Sequence, residues 1–470
     1  MNGTFDIAIV GNGAIGSYTA VDLILKYPNL KIAIVGLETR SDSASAAAGA
    51  MCNVFAEIEQ ANTKLAKETF QKYLYLGIRG AKGWSDFLER ISPNSIVTTK
   101  DTLVFLKKSA NSFEQSNFKE MIRIARAYSV YEDYPIIKFT EALPLTKNRI
   151  ESVAKIKGEF AMDSSNLLST LDKLLHENHV TFINKKVDAV IPGTPVVIKT
   201  ASNYFYADKV VLSAGSNTGN LLQDTPIVPM LQGVGSAYLF SSIKREFPDI
   251  FAKNVIRTVN RGGAQCGFHV VPRNQGFYLG AGNYISQPSE SSHRLETLRY
   301  LFQTLETELI GKEFSYELSG SLVKGHRPRS MDGLPMIGVL GESPNIFIAT
   351  GTNRAGLTWA PSISREILNW IAGDPIDDMF NDWKPDRKMR SFGDSEEALS
   401  YFIESRIGAA LEHELISNDS YSIAQHKLKL RTIGINLLHE VRSRFNEETF
   451  TLHPDHWSAI IDSSYTCTYG

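Results

Sequence analysis

Residues 5–16 read Phe5-Asp6-Ile7-Ala8-Ile9-Val10-Gly11-Asn12-Gly13-Ala14-Ile15-Gly16, and an apolar-periodic stretch runs on to Lys26 before a second apolar run, Lys31 to Val35. A short apolar run, a glycine turn, helical periodicity and another apolar run predict strand, turn, helix and strand, the order of a dinucleotide-binding unit. Gly11 permits the tight turn, Gly13 lets backbone approach a pyrophosphate, and Gly16 lets the helix pack closely on the sheet. The helix start at Ala14 and Ile15 offers free N–H donors and a positive partial charge to the phosphates. Glycine turns also arise for packing reasons, so the weight rests on the placement of this one between strand and helix. Phe5–Val10 is far too short to span a bilayer and has no basic flank or small-residue cleavage site, so it reads as a buried strand.

The motif's acidic residue, which holds the ribose hydroxyls from the end of the second strand, is less regular. That strand ends Ile34-Val35-Gly36-Leu37-Glu38. Glu38 either reaches the ribose from a displaced strand end or is a solvated loop carboxylate.

Composition bounds the rest. A chain of 470 residues suggests two or three domains or one large two-lobed enzyme, and a hydrophobic content of 43% is ample for a core. Lys plus Arg at 49 against Asp plus Glu at 51 leaves a formal charge of -2, without the basic excess of nucleic-acid binding. Cys52, Cys266 and Cys467 are widely spaced and form no CxxC pair, so neither a disulfide framework nor a zinc site is indicated and a reducing, cytoplasmic setting fits. No metal site is expected: His413, His426, His439, His453 and His456 crowd the C-terminal stretch at spacings that match no recognised ligand set.

Two further stretches specify the nucleotide. Ser43-Ala44-Ser45-Ala46-Ala47-Ala48-Gly49-Ala50-Met51 is a run of small side chains that lets backbone N–H groups approach a large planar group; its alternative is a flexible surface loop. Lys324 to Gly338 reads KGHRPRSMDGLPMIG, followed from Asn345 by NIFIATGTNRAGLTWAPSISRE. Together these stretches resemble the D-amino-acid oxidase superfamily, the group that includes glycine oxidase and sarcosine oxidase, over about residues 4–388. Further landmarks fall in that family's order: Glu159 to Asp163 before a helical Asn166 to His176, a strand pattern over Val180 to Val190, Ala207 to Ser216, and Pro229 to Gly233.

The resemblance implies an α/β (α+β overall) architecture in which a Rossmann-type FAD-binding domain is interleaved with a substrate domain containing an antiparallel sheet. The implied division assigns 1–60, 150–225 and 325–388 to the first and 61–149 and 226–324 to the second. It implies FAD contacts from Gly11, Gly13, Ala14, Ile15 and Gly16, from Glu38, from Ser45, Ala47, Ala48, Gly49 and Met51, and from Val187, whose backbone meets the adenine. Ala214, Gly215, Arg327, Gly351, Asn353, Arg354, Ala355, Gly356, Leu357 and Thr358 complete the set. No cysteine lies between Cys266 and Cys467, where relatives that bind flavin covalently carry one, so non-covalent FAD is implied.

Three residues are candidates for the chemistry. Arg327 matches the family arginine that holds a substrate carboxylate, and a guanidinium presents the planar fork this requires. Its alternative is a pair with Asp332 that ties the turn, and Arg329 shares or takes either role. Arg354 matches a residue near the active site or is a surface arginine. His269 stands where a tyrosine is common in the wall over the flavin, facing substrate or satisfied in the core. A helix beginning near Pro361 and ending by Gly373 points its N-terminus at the charge that develops on the flavin.

The implied reaction is oxidation of the C–N bond of an amino acid or carboxylate-bearing amine by hydride transfer, imine hydrolysis and reoxidation by oxygen. Competing readings are a dehydrogenase of the same fold that takes a 2-hydroxy acid or secondary amine and passes electrons to a carrier, and a non-catalytic scaffold. Residues 394–470 lie outside the family pattern. Asp394 with Glu397 predicts a capping box, and two helical patterns follow. This extension packs on the catalytic body, on another copy in a homo-oligomer, or on a partner protein.

Overall fold

The computed structural model describes residues 3–60, 62–91, 96–222, 225–242, 247–261, 267–273, 276–288, 292–445 and 450–461. Cys266, Cys467 and the Asn274–Gln275 turn lie outside the described residues.

Two eight-stranded sheets organise the chain. In the first, Thr4–Val10 lies between Ile32–Val35 and Tyr204–Leu212, both parallel to it, and Ser343–Thr350 and Thr181–Ile183 extend the parallel array outward. Its strands are near-continuous apolar runs because both faces are covered. Ile7 and Ile9 pack toward the helices Ala14–Lys26 and Gly356–Ala372, whereas Ala8 and Val10 face the opposite cluster. The expected Val180–Val190 strand is two, Thr181–Ile183 and Val187–Ile191, the second forming a hairpin with Val196–Thr200.

The second sheet is mainly antiparallel. It runs from Leu318–Ser330 through Met230–Ser242, Gly276–Ser286, His269–Arg273, Asn254–Thr258, Val97–Lys107 and Ile150–Met162 to Tyr131–Asp133, with one parallel step between Asn254–Thr258 and Val97–Lys107. Sheet membership differs from the sequence division at two points. Ile150–Met162 belongs to this sheet, through Val97–Lys107, and Leu318–Ser330 crosses residue 325 without interruption. The first of these strands is followed directly by Asp163, whose carboxylate caps the helix Ser164–Glu177, so one residue marks the passage between layers.

The helix expected to begin near Pro361 begins five residues earlier, at Gly356, and Pro361 lies inside it. Proline cannot donate to the carbonyl four residues back, that of Leu357. Trp84 Nε1 donates to that oxygen instead, at 2.7 Å. An indole from the long helix Lys64–Ile91 thus replaces the missing amide.

The C-terminal extension packs on the body of its own chain. The Asp394–Glu397 capping box forms and opens the helix Ser395–Glu412, and Ser420–Phe445 follows. Phe402, Ile407, Leu452 and Trp457 share one apolar cluster with Val210 and Leu231 of the two sheets and with Met331, just past Leu318–Ser330. Trp457 is fully buried and stacks on Phe402 with ring centroids 5.2 Å apart. Trp457→Ala is expected to destabilise the protein by about 3–5 kcal/mol, read as a lower urea midpoint. An unchanged midpoint places the extension outside the cooperative core.

Candidate active site

A cavity of about 1150 Å³ runs between the two sheets, and its walls come from separated parts of the chain. At one end lies the glycine turn. Gly11 has φ +110°, and a Cβ there would sit 2.4 Å from Ser213 O, so this position requires glycine. The N–H of Ala14 is taken by Ser45 Oγ at 2.9 Å, while those of Gly13 and Ile15 have no acceptor among the described residues. These two donors at a helix N-terminus suit a pyrophosphate.

Gly11, Gly13, Ala14 and Ile15 line the cavity; Gly16 lies behind them, against Gly11 and Ser213. Ser45, Ala47, Ala48, Gly49 and Met51 line it along the small-residue stretch, which is not a loose surface loop. Tyr278 Oη donates to Ala47 O at 3.2 Å, Arg273 Nη2 donates to Ala48 O at 2.8 Å, and Gly325 leaves space beside Ala47. Val187, Ala214, Gly215, Gly351 and the run Asn353 to Thr358 also line it, as do His269 and Arg327.

Glu38 does not. It is exposed, its N–H donates to Asn184 Oδ1 at 3.1 Å, and it is not among the cavity-lining residues. The strand end is not displaced as that role requires. Gly36 occupies it, and a Cβ there would meet Asn12 Oδ1 at 2.9 Å. Arg40, Lys185 and Lys186 line this end instead, with Arg40 donating to Asn12 O and pairing with Asp172 at 2.6 Å. Nothing in the motif's spacing singles these cations out.

At the other end stands the helix Gly356–Ala372. Because it begins at Gly356, its first N–H groups border the cavity, and those of Gly356, Leu357 and Thr358 have no acceptor among the described residues. A negative charge developing beside them is stabilised by three aligned donors.

Arg327 lies on Leu318–Ser330, opposite Gly233. Its Nη1 donates to Asn283 Oδ1 at 2.9 Å, and no carboxylate is within ion-pair distance of it among the described residues. The alternative pairing with Asp332 is excluded, because Arg387 takes both oxygens of that carboxylate, at 2.7 and 3.0 Å. Arg354 is no surface arginine: its guanidinium contacts Glu57 at 3.0 Å, Glu59 at 3.5 Å and Asn260 Oδ1 at 2.9 Å. His269 is buried, stacks on Tyr278 and faces Gly267 O through Nδ1 at 3.3 Å. Burial and then Arg257 lower its pKa to about 3, so it is neutral across the physiological range.

Glu57 and Glu59 went unrecognised in the sequence. Their only signal is the alternation Glu57-Ile58-Glu59, and the segment is held by buried Glu159, which accepts from the N–H groups of Val54, Phe55 and Ala56. Burial would raise the Glu57 carboxyl, but Arg257 and Arg354 outweigh it and hold the pKa at about 2. Glu59 is raised to about 7: burial dominates, Arg354 opposes it, and ionised Glu57 adds to the rise. A carboxyl raised in the folded protein contributes stability that is complete below pH 4.5, its ordinary value, and is lost as pH rises through 7. Glu59→Gln is therefore expected to flatten the fall in thermal stability between these pH values. A slope that survives the substitution assigns it to another group.

The cradle's dimensions, its free helix-terminal donors at both ends and its small-residue wall fit FAD. A family profile described as FAD dependent oxidoreductase matches residues 6–370. The chain belongs to this family of FAD-dependent oxidoreductases. Glycine oxidase from Pseudomonas putida is 26% identical over 196 residues, 40% of this chain and 48% of that enzyme, so the alignment spans about half of the curated relative. Among solved structures, glycine oxidase from Geobacillus kaustophilus superposes with a TM-score of 0.67 at 16% identity, covering 83% of the oxidoreductase and 100% of that chain. L-proline dehydrogenase from P. horikoshii gives 0.65 at 16% identity, covering 82% and 98%. At these identities the structural likeness shows the shared fold. Among the described residues of the oxidoreductase, no helix is long and apolar enough to cross a membrane and no cluster of side chains suits a metal ion.

Proposed function

We propose that the oxidoreductase oxidises the C–N bond of an amino acid or related carboxylate-bearing amine. The observation that carries this reading is Arg327, a guanidinium that lines the cavity and has only the neutral Asn283 amide as partner among the described residues. A carboxylate fits its unfilled donors in two parallel bonds, which fixes the donor carbon as well as the charge.

Bound FAD supplies the hydride acceptor, regenerated by oxygen or an electron carrier. Gly11 to Ile15 would hold its pyrophosphate, Ser45 to Met51 its length, and Gly356 to Thr358 the edge where charge gathers. Arg327 orients substrate, and Tyr278 and neutral His269 form wall without competing for its carboxylate. An amine that binds neutral loses hydride without a protein base, and the imine product is hydrolysed by water to a carbonyl compound. The glycine oxidase relatives support an amino-acid substrate, and glycine-like, N-methylated and D-amino acids all meet these requirements.

Anaerobic mixing of the FAD-loaded protein with amino acids, N-methylated amino acids and 2-hydroxy acids tests the reading through bleaching of the flavin. Bleaching by an amine is expected, and bleaching by hydroxy acids alone overturns it. Admitting air then separates the acceptors, since peroxide marks an oxidase and carrier-dependent turnover without peroxide a dehydrogenase.

A further inference from the structure

Beyond Arg327 the cavity continues to an end walled in part by the C-terminal extension, where Tyr401 and His453 line it with Phe392 just before that extension, Tyr73 and Arg329. Arg329 is only 4% exposed. Its Nε donates to His456 Nε2, while His456 Nδ1 lies 2.8 Å from Met331 O, an acceptor only. This pattern requires a neutral His456 with its proton on Nδ1. Burial and neighbouring Arg329 hold both His453 and His456 well below the usual imidazole range. Both rings are therefore neutral, adding no repulsion to the guanidinium and supplying no counter-charge to it.

No carboxylate lies within ion-pair distance of Arg329 among the described residues, and its two Nη groups have no hydrogen-bond acceptor. Asp332, three residues away, is taken by Arg387. Glu59 is engaged by Asn260 at 2.7 Å and by Arg354. Glu59 acts on Arg329 only from beyond ion-pair distance; a buried cation with no directly paired carboxylate is costly, and an anion entering the cavity reduces that cost. The N–H of Asp455 donates to His453 Nδ1 at 3.3 Å, which leaves Nε2 as the donor of that neutral ring.

Arg327 and Arg329 sit two residues apart on Leu318–Ser330, and their pairing with Gly233 and Leu231 runs without a bulge. Alternate residues share a face of a strand, so the two side chains leave from points about 7 Å apart along one wall. We propose that Arg329 forms a second carboxylate-binding subsite, so that the preferred substrate is an amine bearing two carboxylates, one held by each arginine. The inference rests on the amino-acid reading of the same cavity. It makes the extension a specificity element, because His456 orients Arg329 and His453, Tyr401 and Phe392 bound the space the second acid fills.

Non-reacting ligands test it on the FAD-loaded enzyme. Succinate and glutarate are compared with their monoamides, succinamate and glutaramate, by the perturbation of the flavin spectrum and by calorimetry. At least tenfold tighter binding of a diacid than of its monoamide is expected, and Arg329→Met is expected to reduce that ratio to about one. Equal affinities, or no diacid binding at all, overturn the proposal, as does a ratio that Arg329→Met leaves intact. If Arg329→Met does not fold, the diacid-to-monoamide ratio of the unsubstituted enzyme decides alone. Bleaching by a monocarboxylate amino acid alongside equal affinities rejects the second subsite and leaves the amino-acid reading standing.

Discussion

Arg327→Met is expected to lower kcat/KM for the amine substrate at least roughly a hundredfold while FAD content stays unchanged. Removing one member of a desolvated charge pair costs about 3–5 kcal/mol, and each 1.4 kcal/mol is about tenfold. Both parameters should move, since the lost bonds set affinity and the orientation of the donor carbon. Arg327→Lys restores charge without the planar fork and should recover KM more than kcat. The side chain is half-buried and donates to one amide, so the fold does not depend on it. Unchanged kcat/KM in Arg327→Met would remove the residue from the mechanism.

Gly16→Val should abolish flavin retention and destabilise the protein together. A Cβ at this position lies 2.0 Å from Gly11 O, 2.7 Å from Ser213 Oγ and 3.1 Å from Ile9 Cγ2. The nearest of these is backbone of the phosphate turn, so relief requires the helix Ala14–Lys26 to move off the sheet. That movement carries the free N–H groups of Gly13 and Ile15 away from the phosphates. Overpacking of this kind costs about 1–3 kcal/mol even where side chains yield, and more against backbone. A colourless protein with a lowered thermal midpoint is expected. A yellow protein of ordinary stability would show that the helix has room the structure does not give it.

The opening unit was legible because its signals are local. Thr4–Val10, the glycine turn and Ala14–Lys26 each follow from residues within a few positions, and the structure places them where the periodicity does. The Asp394–Glu397 cap was readable for the same reason. Long-range effects hid the rest. Pro361 resembles a first helical residue unless one knows that Trp84, 277 positions earlier, fills the carbonyl it orphans. Glu38 has roughly the right spacing, but the geometry at Gly36 and Asn12 decides that it faces solvent. Arg327 and Arg329 are indistinguishable as sequence neighbours of Asp332, and only the claim of Arg387 on that carboxylate frees both. The histidines of the extension match no metal pattern, and the structure gives His456 a different task, as the partner of an arginine.

That task has a dielectric consequence. A guanidinium and a carboxylate 4 Å apart attract by roughly 1 kcal/mol in bulk water and by about 4 kcal/mol at an effective dielectric constant near 20. Arg329 falls in the second regime because His456 and the side chains around it shut out solvent. Trimming the extension would take away the ring that orients that arginine and, by admitting water, blunt its pull as well. What the last helices contribute to the cavity is measured by the water they displace as well as by what they touch.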